Sequence, residues 1–226
     1  MAFAVSLSGG KDSTAMLLMM LERGEQVDKV VFWDSGVEFP QMYEHLERLE
    51  AFTGIAVTRV SIKESFEWWL CERELTRGGR AGQHGYGWAR PNARWCTRLK
   101  TIALDAETRG MTKCIGIAAD EKRPLVDGVR YPLIEYGVTE RDALDYCLAH
   151  GFDWGGLYND FKRVSCFLCP LKGLDELRTL RRNYPELWSE MGRLDILSPN
   201  QFRRDYSIAD LEARFSAEDM QMEMEL

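Results

Sequence analysis

Short apolar runs alternate with longer stretches of helical spacing along the first half of the chain. Phe3-Ala4-Val5-Ser6-Leu7 predicts a strand, and Thr14 to Arg23 a helix with Ala15, Leu18, Met19 and Leu21 on one face and Gly24 as its stop. Val30 to Trp33 predicts a second buried strand, Gln41 to Phe52 a helix closed by Gly54, and Ala56 to Ser61 a third strand. Further on, Thr101 to Arg109 reads as a helix, Lys113 to Ala118 as a strand and Arg130 to Ile134 as extended chain. A helix over Glu140 to His150 follows, with Thr139 as its N-cap. Gly155 to Arg163 reads as a loop, and Cys166 to Pro170 as a tight turn. Leu174 to Arg182 and Pro185 to Met191 read as helices, and the tail from Glu212 as a fraying end or a last packed helix. Strands alternating with helices predict an α/β fold, a doubly wound and mainly parallel sheet with a helical, cysteine-containing C-terminal extension. Its ligands belong beyond the carboxyl ends of the strands.

The 226 residues suffice for one large domain or two small ones. No repeat or linker divides them, so a single domain is expected, with a nucleotide-binding core over about 1–135 and the cysteine-containing helical part over about 136–226. At 45% hydrophobic and 29% charged, the composition excludes disordered and fibrous classes. No apolar run approaches the ~18 residues of a membrane span, and the first residues lack a charged leader. No membrane association and a reducing, cytoplasmic setting are therefore expected. There, thiols serve as metal ligands or reactive groups more often than as disulfides.

The formal net charge of −7 argues against an all-over basic coat, yet the positive charge is unevenly spread. Between Arg73 and Lys100 seven cations stand against one acid, Glu74, among five glycines. This predicts a long, flexible, basic loop that meets an anionic ligand.

A strand running into Ser8-Gly9-Gly10-Lys11-Asp12-Ser13 and then a helix gathers backbone N–H groups, a helix N-terminus and an ammonium at one spot. That is a phosphate cradle. It is not a Walker A loop, because Asp12 follows Lys11 where that pattern needs Ser or Thr. Asp12 and Asp34 are oxygen donors suited to Mg2+ or to positioning water, and the rival reading of Asp34 is a turn-forming residue before Gly36.

These residues resemble the pyrophosphate-binding loop of the PP-loop ATP pyrophosphatases, in the adenine nucleotide alpha-hydrolase superfamily. More narrowly, the chain resembles the phosphoadenosine phosphosulfate (PAPS) reductase family. The likeness continues through Trp33-Asp34-Ser35-Gly36-Val37-Glu38-Phe39-Pro40, Gly116-Ile117-Ala118-Ala119-Asp120-Glu121 with Arg123, and Tyr131-Pro132-Leu133-Ile134-Glu135. It closes with Leu157-Tyr158 and Cys166-x-x-Cys169, so that it spans about residues 3 to 185 in matching order. The resemblance implies an adenine nucleotide bound by Ser8, Gly9, Gly10, Lys11, Asp12, Ser13, Asp34, Gly116 and Arg123, with Lys11, Asp12 and Asp34 catalytic.

Two departures separate this chain from the family's reductases, which usually carry a degenerate loop and need a cysteine in a C-terminal Glu-Cys-Gly-x-His motif. Here the loop is intact and no cysteine follows Cys169. ATP with Mg2+ is therefore the expected nucleotide, cleaved to AMP and pyrophosphate with adenylation of an acceptor. Reduction of adenosine phosphosulfate or PAPS is the alternative, and a non-catalytic nucleotide- or nucleic-acid-associated module is a third reading.

Cys96, Cys166 and Cys169 match three of four cluster ligands in related reductases, with Trp95 standing where the family has the remaining cysteine. The resemblance implies a 4Fe-4S cluster with one open iron, as in cluster-dependent tRNA thiolases. Zn2+ is the rival, with His84 or Cys71 as fourth ligand, and a bare redox pair or buried thiols without metal are others. Cys71, Cys114 and Cys147 read as core. The residues leave the acceptor open; tRNA or another nucleic acid is one candidate by the same resemblance, and a sulfur-donor protein and a second copy of the chain in a homodimer are candidate partners.

Overall fold

The first strand, β1 (Phe3–Leu7), is central in its sheet: Ala4, Val5 and Leu7 are buried, and neighbours lie on both sides. The computed structural model describes every residue except Ile62, Ser165, Glu225 and Leu226, and the side chains of residues 222–224 are also left aside. The chain forms two compact units. Unit 1 comprises Met1–Ile62 and Leu99–Ser165, and unit 2 Lys63–Arg98 and Cys166–Leu226.

Unit 1 holds a five-stranded, wholly parallel sheet. After β1 come α1 (Lys11–Glu22), β2 (Lys29–Trp33), α2 (Pro40–Thr53) and β3 (Val57–Val60). Helix α3 (Trp95–Glu107) leads to β4 (Thr112–Ile115), and β5 (Val129–Arg130) completes the sheet. The strand order is β3-β2-β1-β4-β5, with Val5 opposite Val30 on one side and Cys114 on the other. The central strands are continuous apolar runs because a parallel sheet is covered on both faces. The order reverses between β1 and β4, so the loops after β1, β2 and β4 share the sheet's carboxyl edge, where doubly wound folds bind ligands.

Helix α1 buries nearly its whole circumference, from Ala15 through Leu18 and Met20, against β1 and against α5 (Glu140–Ala149). It starts at Lys11, three residues earlier than its apolar spacing suggests, so Lys11, Asp12 and Ser13 form its first turn. Pro132 opens a short helix, α4 (Pro132–Tyr136), where extended chain is predicted; proline's fixed φ suits a first helical position. Thr139 caps α5 as expected. Its hydroxyl accepts from Asp142 N–H at 3.2 Å, and its own N–H donates to the Asp142 carboxylate at 3.0 Å. The predicted loop after Gly155 instead holds a 3-10 turn (Trp154–Gly156) and α6 (Leu157–Asp160).

Unit 2 contains a π-helical turn (Trp68–Glu72), the basic segment, the start of α3, and the helices α7 (Leu174–Asn183), α8 (Pro185–Leu197) and α9 (Ile208–Met224). The last of these is a packed helix, with Leu211 and Phe215 fully buried; of the predicted tail, Glu225 and Leu226 lie outside the described residues. Arg181 bridges to Glu212 at 2.9 Å and Asp219 at 2.6 Å, tying α7 to α9. Trp88 joins the two stretches of this unit. Its indole donates to Asp195 at 2.8 Å, its backbone N–H to Asn200 at 2.6 Å, and its ring meets Phe202 edge-on. No helix among the described residues is long and apolar enough to cross a membrane.

Replacing Thr139 by Ala removes the hydroxyl that accepts from Asp142 N–H at the start of α5 and leaves the backbone N–H of the reciprocal bond in place. We expect a loss of about 1 kcal/mol in urea-induced unfolding, the usual cost of a deleted N-cap.

Candidate nucleotide site and thiol cluster

The six residues Ser8 to Ser13 turn from β1 into α1 as a tight, self-bonded loop. Ser13 Oγ accepts from Ser8 N–H at 3.1 Å, lies 2.9 Å from Ser8 Oγ, and donates to the Gly10 carbonyl at 3.0 Å. Gly9 is left-handed (φ 77°), and a Cβ there would collide with Met42 Sδ. Gly10 is the N-cap of α1, and no side chain of the described residues caps that terminus in the usual way. With glycine at the N-cap, an anion can approach the positive end of α1, although Lys11 N–H there already meets the Tyr158 hydroxyl.

Gly116 follows β4 and lies against this turn. A Cβ on it would sit 2.8 Å from Ser13 N and Cα and 2.9 Å from the Asp12 carbonyl carbon, so only glycine permits this approach of two backbones. The role legible in the structure is thus close packing behind the loop.

Lys11 is 6% exposed, and its ammonium is neutralised from two sides, by Asp12 at 2.7 Å and Glu140 at 3.0 Å. Burial pushes the Asp12 carboxyl above the usual carboxylate range, while the Lys11 ammonium opposes the rise. An incoming phosphate would offer Lys11 a third acceptor. Asp34 follows β2 and accepts from Gly36 N–H and from the Tyr43 hydroxyl, both at 2.8 Å through Oδ1, so it does build the turn. Arg123 is more than half exposed and lies 3.7 Å from Glu121, a carboxylate that Arg163 also approaches at 3.8 Å. The glycine loop, Asp34, Gly116 and Arg123 all belong to unit 1 and follow the ends of β1, β2 and β4.

A second layer, not singled out by sequence reasoning, holds the loop from behind. Trp154 donates its indole N–H to the Gly9 carbonyl at 2.7 Å, and Lys11 N–H donates to the Tyr158 hydroxyl at 2.7 Å. Thr14 Oγ1 and His45 Nε2 are 3.0 Å apart, and the His45 ring stacks on Trp154 at 4.6 Å. Leu157-Tyr158 carries the family likeness, but nothing in its spacing shows that Tyr158 meets a backbone amide 147 positions away.

The three sequence-selected cysteines all belong to unit 2. Cys96 is in the first turn of α3; Cys166 and Cys169 are in the turn before α7. Cys166 donates to Cys169 and brings its thiol down to about 6, against burial and with help from the Leu171 N–H and the Lys172 ammonium. Burial pushes Cys96 up, and the charge on Cys169 adds to the rise. Arg203 braces the same turn by donating to the Pro170 carbonyl at 2.9 Å and to the Lys172 carbonyl. The hydrogen bond from Cys166 thus favours the ionised, nucleophilic form of Cys169.

Among the described residues, no group of three or more cysteine, histidine or carboxylate side chains could hold a metal ion. His84 forms a bridge with Glu74, and Cys71 is on the π-helical turn, its thiol pushed up to about 11 by burial. Cys114 and Cys147 are fully buried, as expected of core residues.

The basic segment is shorter and more committed than its composition suggests, because α3 begins at Trp95. Arg73 lies over the Trp69 ring at 4.4 Å. Arg80 donates to the carbonyls of Gly85 and Tyr86, and Arg90 to those of Gln201 and Phe202. Arg77, Arg94 and Arg98 are exposed. Tyr86 stacks between Trp69 and Trp95 at 5.8 and 5.5 Å, so those ring faces are spent on one another.

The chain belongs to the phosphoadenosine phosphosulfate reductase domain family, which matches residues 2–123. A relative from Methanocaldococcus jannaschii, Uncharacterized protein MJ0066, is 27% identical over 205 residues, covering 82% of this chain and 40% of that protein. The chain thus spans less than half the length of that curated relative. Among solved structures, it is similar to the U34-tRNA thiolase NcsA from Methanococcus maripaludis with its 4Fe-4S cluster. The TM-score there is 0.47 at 15% identity, over 87% of this chain and 71% of that one. A structure described as a predicted subunit of tRNA methyltransferase from M. jannaschii gives 0.35 at 14% identity, over 83% and 91%.

His45 yields a pH prediction. Burial lowers its pKa to about 4 from the ordinary value near 6.5, so the folded protein keeps the ring neutral. Stability from this group is complete above about pH 6.5 and falls as the pH drops toward 4, where the unfolded chain binds a proton that the folded one excludes. The loss amounts to about 3 kcal/mol, read by urea unfolding across that range. His45→Gln should flatten the slope.

Proposed function

We propose that this chain is a PP-loop enzyme that binds ATP, splits it between the alpha and beta phosphates, and transfers AMP to an acceptor oxygen with release of pyrophosphate. The observation that carries the reading is the intact Ser8–Ser13 loop at a helix terminus whose N-cap is a glycine, with the Lys11 ammonium buried beside it. Negative charge grows on the leaving pyrophosphate as the acceptor oxygen attacks the alpha phosphorus and the bridging P–O bond breaks. Lys11 and the first-turn amides of α1 are suited to bind that charge. In this reading Lys11 turns from Glu140 toward the phosphates, and Asp12 stays within reach to orient it. Ser8 and Ser13 keep the loop's shape, while Gly116 lets β4 close behind it. Asp34 stands after the neighbouring strand, where a ribose or a metal-bound water would be met. Mg2+, held by carboxylates such as Asp12, would supply charge neutralisation on the phosphates.

The thiols extend this reading toward sulfur transfer. Three thiols have the chemistry that iron–sulfur clusters and zinc select, yet they are not gathered as an ion site among the described residues. No chemical step is therefore derived through a metal, and Cys96, Cys166 and Cys169 enter as thiols, with Cys169 the nucleophile. Exposed Arg77, Arg94 and Arg98 support a nucleic-acid acceptor such as tRNA, a sulfur-donor protein would recharge the thiols, and a homodimer is the proposed assembly.

A second reading, reduction of a sulfonucleotide, is favoured by one observation: Cys166 and Cys169 are hydrogen-bonded to one another, the arrangement of a dithiol reductant.

Incubation with ATP, Mg2+ and candidate RNA acceptors should release pyrophosphate, and Lys11→Ala should reduce the rate on the order of a hundred-fold. Sulfite from adenosine phosphosulfate or PAPS in the presence of thioredoxin, without pyrophosphate from ATP, would select the second reading instead. An anaerobic absorbance spectrum with iron and zinc analysis checks the thiols. Broad absorbance near ~400 nm marks a cluster, and colourless, metal-free protein marks bare thiols.

A further inference from the structure

We propose that Tyr158 contacts phosphate in the glycine loop and that Trp154 is the residue that positions it. The inference rests on the nucleotide reading above. The starting point is an odd feature of the loop: Lys11 N–H, a first-turn amide of the kind that meets a bound anion, is taken by the Tyr158 hydroxyl at 2.7 Å. A phenol oxygen that accepts a hydrogen bond still carries its own proton. Burial pushes the Tyr158 phenol well above its ordinary range, so that proton stays in place near neutrality. Among the described residues the proton meets no acceptor. The hydroxyl also lies only 3.2 Å from where a Cβ on Gly10 would stand, at the N-cap of α1. Tyr158 thus converts a backbone donor into a side-chain donor at the same terminus, and a phosphate oxygen is the acceptor that completes the chain of bonds.

The backbone behind Tyr158 is shaped for this placement. Trp154 is the one non-glycine residue with positive φ (52°) among the described residues, and Gly155 and Gly156 continue left-handed at 58° and 85°. A bulky residue in that region is strained and persists only when its surroundings hold it. Here the indole is 1% exposed, donates to the Gly9 carbonyl, stacks on His45 and takes the Tyr158 ring edge-on at 4.8 Å. One side chain thereby fixes both the second residue of the phosphate loop and the tyrosine that reaches it. A plain packing role for Tyr158 would use its ring and leave the hydroxyl indifferent to ligand.

The test is the affinity of wild-type protein and Tyr158→Phe for inorganic pyrophosphate, ATP and adenosine, by calorimetry. The variant keeps the ring against Trp154, and its fold is checked by near-ultraviolet circular dichroism. We expect pyrophosphate and ATP affinity to fall about ten-fold or more, as for loss of a hydrogen bond to a charged group, with adenosine unchanged. Unchanged or tighter pyrophosphate binding in the variant overturns the assignment, tighter binding meaning that Tyr158 merely blocks the amide. If wild-type protein binds neither ATP nor pyrophosphate, the nucleotide reading falls and this inference with it. Should the variant misfold, titrating wild-type protein with pyrophosphate decides the matter through the tyrosine difference spectrum. A red shift on binding supports the contact, and no change refutes it.

Discussion

The first turn of α1 is pinned between backbones that approach as closely as glycine allows, and the rest of unit 1 is arranged around that constraint. Gly116 abuts Ser13 and Asp12 from the end of β4, Gly9 sits under Met42, and α5 covers the outer face of the helix. Neither glycine tolerates an added Cβ without moving a neighbour. Because β1, β2 and β4 are adjacent in a parallel sheet, fixing this one turn also fixes the three loops that leave its carboxyl edge. The buried Lys11 is a consequence of the same closeness. A cation with so little water about it must be matched, and Asp12 and Glu140 match it.

Much of unit 1 is legible in the sequence because its signals are local. The apolar runs of the central strands, the glycine loop between β1 and α1, and the Thr139 cap each announce themselves within a few residues. Boundaries shift where a local rule has a second solution: Pro132 excludes a central strand, yet it suits a helix start as well as it suits extended chain. The start of α1 moves for a different reason. Lys11 to Ser13 show no apolar spacing, since that turn is buried by backbone approach and ion pairing rather than by oily side chains.

The candidate site was legible in its motif and hidden in its supports. Ser8 to Ser13 could be singled out from residue types alone, but Trp154, Tyr158 and His45 act on the loop from over thirty to nearly 150 positions away and carry no pattern that reveals it. In unit 2 the basic composition overstated the free charge. Several arginines are committed to carbonyls or to a tryptophan face, a fate that counting residues does not show.

Trp88 carries a consequence for the order in which the molecule can be made. Its partners Asp195, Asn200 and Phe202 come long after it in the chain, with the second half of unit 1 in between. During synthesis Trp88 must wait for its later neighbours while β4, β5 and α5 emerge and complete the sheet. Interleaved segments of this kind raise the sequence separation of native contacts and slow their formation. A nascent chain halted before α8 would present an indole with no carboxylate to meet, the sort of exposed apolar surface that chaperones engage.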